Sequence, residues 1–420
     1  MTQKSMLVPD YYSGFRCIGS DCEESCCIGW NIPVDEASYR RYLACNHAEL
    51  APALHAALVE NPDTQARGRE HVASIKCDAE GRCALLQTDG LCSVHRLLGE
   101  DWLSNTCATF PRYINLFGGQ MELTLGIACP EAARRVLLHP EPIGFDLIEM
   151  DAALEARGFV SHRFPDQGDG DPTQMAALIE LRAFIIGLLQ LRELSLGARL
   201  MVLGFLLEDV ERVASSASFK HASELLPVLQ GYADLVSDPA SVEAQFAQIG
   251  GDLPRKIGTI GNVLAQLLAE RATPRMRECL IAASSGLLAG ETDQPVADTE
   301  VLARYRSGLL DHYLPYFTGK GYILENYLVN QVLSRLFPFA LRSFIDLYRE
   351  LICNLAIVQV LLVGMAAHQQ GLNDERVVQL LQSFARKTNH NPAYLEKLLL
   401  AVGANGAGAY VDVMWMLKES

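Results

Sequence analysis

The 420-residue sequence has no Cys-x-x-Cys clip, although it contains 12 cysteines. A structural zinc site usually carries two such clips. The usual zinc pattern is therefore absent, while zinc as such stays open. No Gly-x-Gly-x-x-Gly follows a strand-like run, and strand and helix patterns do not alternate, so no Rossmann-type nucleotide site is visible. Period-two alternation is scarce, with QMELTLGIA at 120–128 the exception. Basic residues are outnumbered, 35 Lys and Arg against 50 Asp and Glu, for a formal net charge of −15. That argues against a nucleic-acid partner, whose phosphates call for a basic face, and suits a basic protein partner. The opening residues MTQKSMLVPD lack the apolar stretch of a secretion signal, so a reducing cytoplasm is expected and disulfides are not. The longest apolar run, Leu351 to Ala367, is 17 residues and carries Asn354 and Gln359. A membrane span needs about 20 apolar residues, so this run reads as a buried helix and no membrane span is expected.

Thiols are also nearly missing after position 129, where only Cys279 and Cys353 occur. Before it they are dense. CIGSDCEESCCIGW, residues 17–30, holds four cysteines spaced C-x4-C-x3-C-C. Thiolates are soft, anionic donors for zinc and for iron–sulfur clusters, and clusters accept irregular spacing. Nine residues form the candidate metal-ligand set: Cys17, Cys22, Cys26, Cys27, Cys77, Cys83, Cys92, Cys107 and Cys129. Cys45, Cys279 and Cys353 have no clustered partner and read as small buried hydrophobes. The side chains of adjacent Cys26 and Cys27 should diverge, so that one ligates while the other packs or serves a second site. His95 and Arg112 read as structural groups.

The expected fold is mainly α. An irregular cysteine-rich metal-binding region covers 1–140, a connecting segment 141–173, and a helical domain 174–420. Short helices are expected at about 35–45 and 52–60. From Gln174 onward apolar residues recur at helical spacing, as in MAALIELRAFIIGLLQLREL. Asn391-Pro392 marks a helix start and Gly403 its stop. No fixed-period repeat is evident.

The segments PDYYSGFRC, CEESCCIGW, GLCSVHRLLGE, CATFPRY and ACPEAARRVLL resemble the flagellin lysine N-methylase family, part of a group named for a CxxCxxCC zinc- or iron-chelating region. GYILENYLVNQVLSRLFPF, residues 321–339, is similar to its C-terminal half. The resemblance is dense over 9–138 and sparse beyond. It implies methyl transfer from S-adenosylmethionine to flagellin lysines and a 4Fe-4S cluster on the N-terminal cysteines, with zinc as the alternative metal. Binding the donor's amino-acid end at an open iron would leave three cysteines on the cluster. A lysine must lose a proton before it attacks a methyl group. Glu325, Tyr327 and Tyr322 stand in the matching segment, but each reads first as a core or surface residue. The alternative to an enzyme is a non-catalytic zinc- or iron-binding scaffold.

Overall fold

A computed structural model describes residues 5–62, 70–164, 172–215, 222–269, 272–288, 297–338, 343–389, 394, 396–398 and 411–418. The chain is mainly α and divides into two compact units. The N-terminal unit comprises Met1–Leu116, Gln120–Ala132 and Phe145–Arg163. The helical unit comprises Phe117–Gly119, Ala133–Gly144 and Phe164–Ser420.

Eight strands occur among the described residues, where the sequence shows one clear alternation. Most are too short to display a period. They are β1 (Ser5–Pro9), β2 (Ile32–Val34), β3 (Leu58–Glu60), β4 (Ala73–Ile75), β5 (Arg112–Phe117), β6 (Gln120–Leu125), β7 (Phe145–Glu149) and β8 (His162–Phe164). Five form a sheet in the order β7-β1-β6-β5-β8. β1 runs parallel to β6, with Met6 opposite Met121, and antiparallel to β7, with Met6 opposite Ile148. The β5–β6 connection is Gly118-Gly119 with φ of 52° and 91°. Both signs are positive, as a tight two-residue hairpin turn requires. The expected strand at 120–128 is thus β6, and it ends at Leu125.

The second sheet, β2-β4-β3, is antiparallel and sets both Ile32 and Leu58 opposite Ile75. Its apolar face packs with α1 (Glu36–Leu43) and α2 (Ala51–Ala57) through Val34, Tyr42, Leu50 and Leu54. These are the helices expected near 35–45 and 52–60, except that the second stops at Ala57 and residues 58–60 form β3 instead. Asp35 starts α1: its Oδ1 accepts from Ser38 N at 2.9 Å, and its Oδ2 accepts from Asn105 N at 2.9 Å. One buried carboxylate therefore caps a helix and anchors a distant loop. Three more short helices follow: α3 (Ser93–Leu98), α4 (Asn105–Thr109) and α5 (Pro130–Leu137). α6 (Ala152–Arg157) precedes β8, and residues 165–171, between β8 and the helix that starts at Pro172, lie outside the described residues.

The helical unit contains α7 (Pro172–Leu189), α8 (Leu196–Ala214), α9 (Leu226–Val236), α10 (Pro239–Gln248), α11 (Leu253–Ala269), α12 (Pro274–Leu288), α13 (Asp298–Ser307), α14 (Tyr322–Ser334), α15 (Phe344–Gln369) and α16 (Asp374–Thr388). The apolar run 351–367 lies in α15. That helix is long and apolar enough to cross a membrane by length and composition, and 83% of its apolar window is buried inside the protein. Glycines let α12 approach it closely. A Cβ on Gly286 would lie 2.0 Å from Gly364 O, and one on Gly364 would lie 2.6 Å from Ala283 O. Every residue of α14 from Ile323 to Ser334 is buried, polar ones included. Its Glu325 accepts Arg192 Nη2 at 2.9 Å and Arg199 Nη1 at 2.8 Å. Asn326 Nδ2 donates to Val136 O at 3.1 Å and to His139 O. The helix expected from Asn391-Pro392 to Gly403 has both signals outside the described residues.

Candidate metal centre

The cysteine loops of the N-terminal unit are tied together by backbone pairing. Gly29 N donates to Gly81 O and Cys83 N to Cys27 O, each at 2.8 Å. Bridges join Ile28 to Arg82, Cys77 to Cys83, and Leu86 to Cys92. Residues 27–29, at the end of the first cysteine stretch, are thereby laced to the second cysteine group, 77–92, despite the distance in sequence.

Three of the later cysteines stand at helix starts. Cys92 is the residue before α3. Cys107 lies in the first turn of α4, where the Ser104 side chain accepts its N–H at 3.4 Å. Cys129 immediately precedes Pro130, the first residue of α5. A helix N-terminus presents unpaired N–H groups and partial positive charge, which favour a thiolate. Burial works the other way and dominates. It pushes the Cys83, Cys107 and Cys129 thiols each up to about 12 and raises Cys92 and Cys22 as well. Hydrogen bonds from the helix starts offset part of this, from Ser104 to Cys107, from Ala132 and Glu131 to Cys129, and from His95 and Val94 to Cys92.

The electrostatic neighbours reveal the arrangement. Cys26 raises the thiols of Cys22, Cys92, Cys107 and Cys129. It is the common neighbour of all four. Cys22 also feels Cys17, and Cys83 feels Cys107, Cys92 and Cys77. Cys27 packs against the apolar core around Ile32 and Tyr42, as do Cys92 and Cys107. Cys77 is exposed, and its Sγ donates to Trp30 O at 3.6 Å. All 12 cysteines are free thiols. Among the described residues no three His, Cys, Asp or Glu side chains close on one point tightly enough to hold a metal ion. The donor chemistry is that of a thiophilic metal group nonetheless: half-buried thiols at helix starts, with Cys26 as their common neighbour, are soft donors that a bound cation would ionise.

The remaining candidates stand in the following surroundings. His95 lies in the last turn of α3, where its carbonyl accepts from Gly99 N at 3.0 Å. Arg112 Nε donates to Tyr12 Oη at 3.3 Å, and its guanidinium stands 5.2 Å from the Phe15 ring centroid. Glu325 is held by two arginines, Tyr327 is 1% exposed and Tyr322 half-buried. The helix-start placement of the later cysteines escaped the sequence reading. Its signals are Ser104-x-x-Cys107, a capping pattern, and Cys129-Pro130, with proline at a first helical position.

Comparison with known proteins adds the following. Residues 182–414 match the FliB lysine N-methylase C-terminal domain. The chain is similar to the flagellar biosynthetic protein FliU of Salmonella muenchen, with 32% identity over 142 residues, which is 34% of this chain and 82% of that protein. It is also similar to the lysine-N-methylases of Salmonella typhimurium strain LT2 and Salmonella choleraesuis strain SC-B67, each 32% identical over 144 residues. Those alignments cover 34% of this chain and 34% of each methylase, so the match spans about a third of their length. No solved structure matches. With the family's domain recognised over more than half of its length, the chain belongs to the FliB lysine N-methylase family.

Proposed function

We propose that the protein transfers a methyl group from S-adenosylmethionine to lysine side chains of flagellin, with a 4Fe-4S cluster held by its N-terminal cysteines, in the cytoplasm. The observation that carries this reading is family membership through the helical unit, joined to the gathering of thiols around Cys26. Three of Cys22, Cys26, Cys92, Cys107 and Cys129 would hold the cluster, and the starts of α3, α4 and α5 would stabilise the thiolates of those among Cys92, Cys107 and Cys129 that ligate. When bound, such a cluster supplies an iron with an open position for the donor's amino-acid end. In the transfer itself the neutral lysine nitrogen forms a bond to the methyl carbon as the methyl–sulfur bond breaks, and the lysine proton leaves to a base or to water. Glu325 does not serve as that base in this reading, because Arg192 and Arg199 occupy its carboxylate.

The test is strictly anaerobic purification with iron, sulfide and zinc counted per chain, followed by labelled methyl transfer to flagellin. Iron with matching sulfide and label on lysine is the expected result. Stoichiometric zinc without sulfide, and no transfer, would leave the scaffold reading in its place.

A further inference from the structure

We propose that a groove on the helical unit, between α8 and α9, receives the side chain of a lysine presented by a protein substrate. The inference rests on the methyl-transfer reading for its biological sense, but the groove stands on its own geometry. Phe205, Glu208 and Asp209 line one wall from α8, and Pro227, Val228, Gly231, Tyr232 and Leu235 line the other from α9. The spacing explains the two walls. Residues 205, 208 and 209 share one helical face, as do 228, 231, 232 and 235. The groove is open to solvent and offers about 500 Å³, room for a long side chain.

The lining has the chemistry of a lysine's complement. Lysine has an apolar four-carbon stem and a compact ammonium head. Val228, Pro227 and Leu235 offer surface to the stem, while the Phe205 and Tyr232 rings and two carboxylates suit the head. Asp209 is pre-set for this. Its Oδ2 accepts from Tyr232 Oη at 2.9 Å and its Oδ1 from Arg212 Nη2 at 2.6 Å. Arg212 offsets one negative charge, and Glu208 leaves the groove net negative. Partial burial, then the neighbouring Asp209, raise the Glu208 carboxyl above its ordinary range, with Arg212 opposing. An incoming cation relieves that repulsion. The chain's net charge of −15 attracts a basic partner from further away, but the groove is where shape and charge coincide.

Gly231 supplies a clean perturbation. A Cβ there would meet nothing within 4 Å, so a larger side chain enters the groove and not the core. Leucine is also the better helix former, so Gly231→Leu should fold at least as well as the parent. The test uses the full chain without methyl donor. A blocked lysine, Nα-acetyl-lysine methylamide, is titrated and followed by calorimetry, with blocked norleucine as the uncharged control. Lysine binding is expected and norleucine binding is not. Gly231→Leu should abolish binding, and the double variant Glu208→Gln/Asp209→Asn should weaken it about fivefold, the effect of losing exposed charge pairs. Flagellin methylation by Gly231→Leu should show a raised KM with iron content unchanged. Equal lysine binding by Gly231→Leu would overturn the proposal by making the attraction a diffuse surface effect. Displacement of the lysine by S-adenosylmethionine would overturn it too, by assigning the groove to the donor. Because the titration needs no catalysis, lysine binding without any methyl transfer would refute the enzyme reading and leave the groove intact.

Discussion

Replacing Glu325 with glutamine removes one charge from a buried three-residue assembly while nearly keeping its shape. The Glu325 side chain is 1% exposed and accepts from Arg192 Nε at 3.1 Å, Arg192 Nη2 at 2.9 Å and Arg199 Nη1 at 2.8 Å. The two arginines differ in what they lose. Arg199 is 9% exposed at its side chain and is otherwise held by carbonyls, Leu189 O and Leu194 O. Arg192 is 38% exposed and can turn to water. Stranding Arg199 without its counter-ion should cost about 3–5 kcal/mol, whereas the pair with Arg192 is worth about 0.2–1 kcal/mol. Glu325→Gln should therefore lower the unfolding temperature of the helical unit by about 10 °C, and Arg192→Gln by about a third of that or less. Differential scanning calorimetry of both variants beside the parent measures the difference. A Glu325→Gln protein of parental stability would refute the reasoning. If it had also lost methyl transfer, Glu325 would return as a candidate base.

Three further outcomes follow from the same structure. Gly364→Ala should destabilise the α12–α15 contact by about 1–3 kcal/mol through overpacking, while Gly258→Ala on α11, where an added Cβ meets nothing within 4 Å, should stabilise by about 0.5–1 kcal/mol; chemical denaturation that ranks the two equally would contradict the close approach. Asp374 is held below the ordinary aspartate value of 3.8 by Lys320 and then by the Tyr316 hydroxyl, so its contribution is present above that value and is lost as pH falls through the lowered one. Asp374→Asn should flatten the acid limb of stability below about pH 4, by a small amount because the carboxylate is largely exposed, and an unchanged limb would show that the pair does not hold in solution. Cys26→Ser should lose iron and sulfide together with methyl transfer, Cys27→Ser should lose less, and Cys279→Ser and Cys353→Ser should keep the metal; full iron in Cys26→Ser would remove Cys26 from the ligand set.

What the sequence revealed depended on how local the signal was. α1 and α2 were readable because Asp35 caps one and Pro52 opens the other within a single turn. The burial of Cys45, Cys279 and Cys353 was readable from their isolation, and they are 6%, 1% and 2% exposed. The five-stranded sheet was not. β1 has five residues and no neighbour in sequence to pair with, since its partners lie more than 100 residues away. The neighbourhood of Cys26 was hidden for a related reason, because Cys92, Cys107 and Cys129 come to it from helix starts that no spacing rule encodes. The α8–α9 groove was invisible while each helix was read singly: GFLLEDVE and PVLQGYADL look like ordinary amphipathic runs until they are set side by side.

The position of β1 inside its sheet has a consequence for the order in which the protein is made. Met6 waits for Met121 on one side and Ile148 on the other. At about 5–20 residues per second of synthesis, that is roughly 10 s after the Cys17–Cys27 stretch has left the catalytic centre of the ribosome. Through most of that interval the four thiols lack both Cys129 and the five-stranded sheet, with only the backbone ties of Cys27 and Gly29 to residues 81–83 available to them. Cys129 and the sheet that frames it arrive together near the end of the wait. The full thiol set is thus complete only once translation has passed Cys129, with β7 following at Phe145–Glu149. Protease protection of Cys17–Cys27 in ribosome-stalled chains should accordingly appear only when β7 has emerged, and protection before that would show that the loop closes without its sheet.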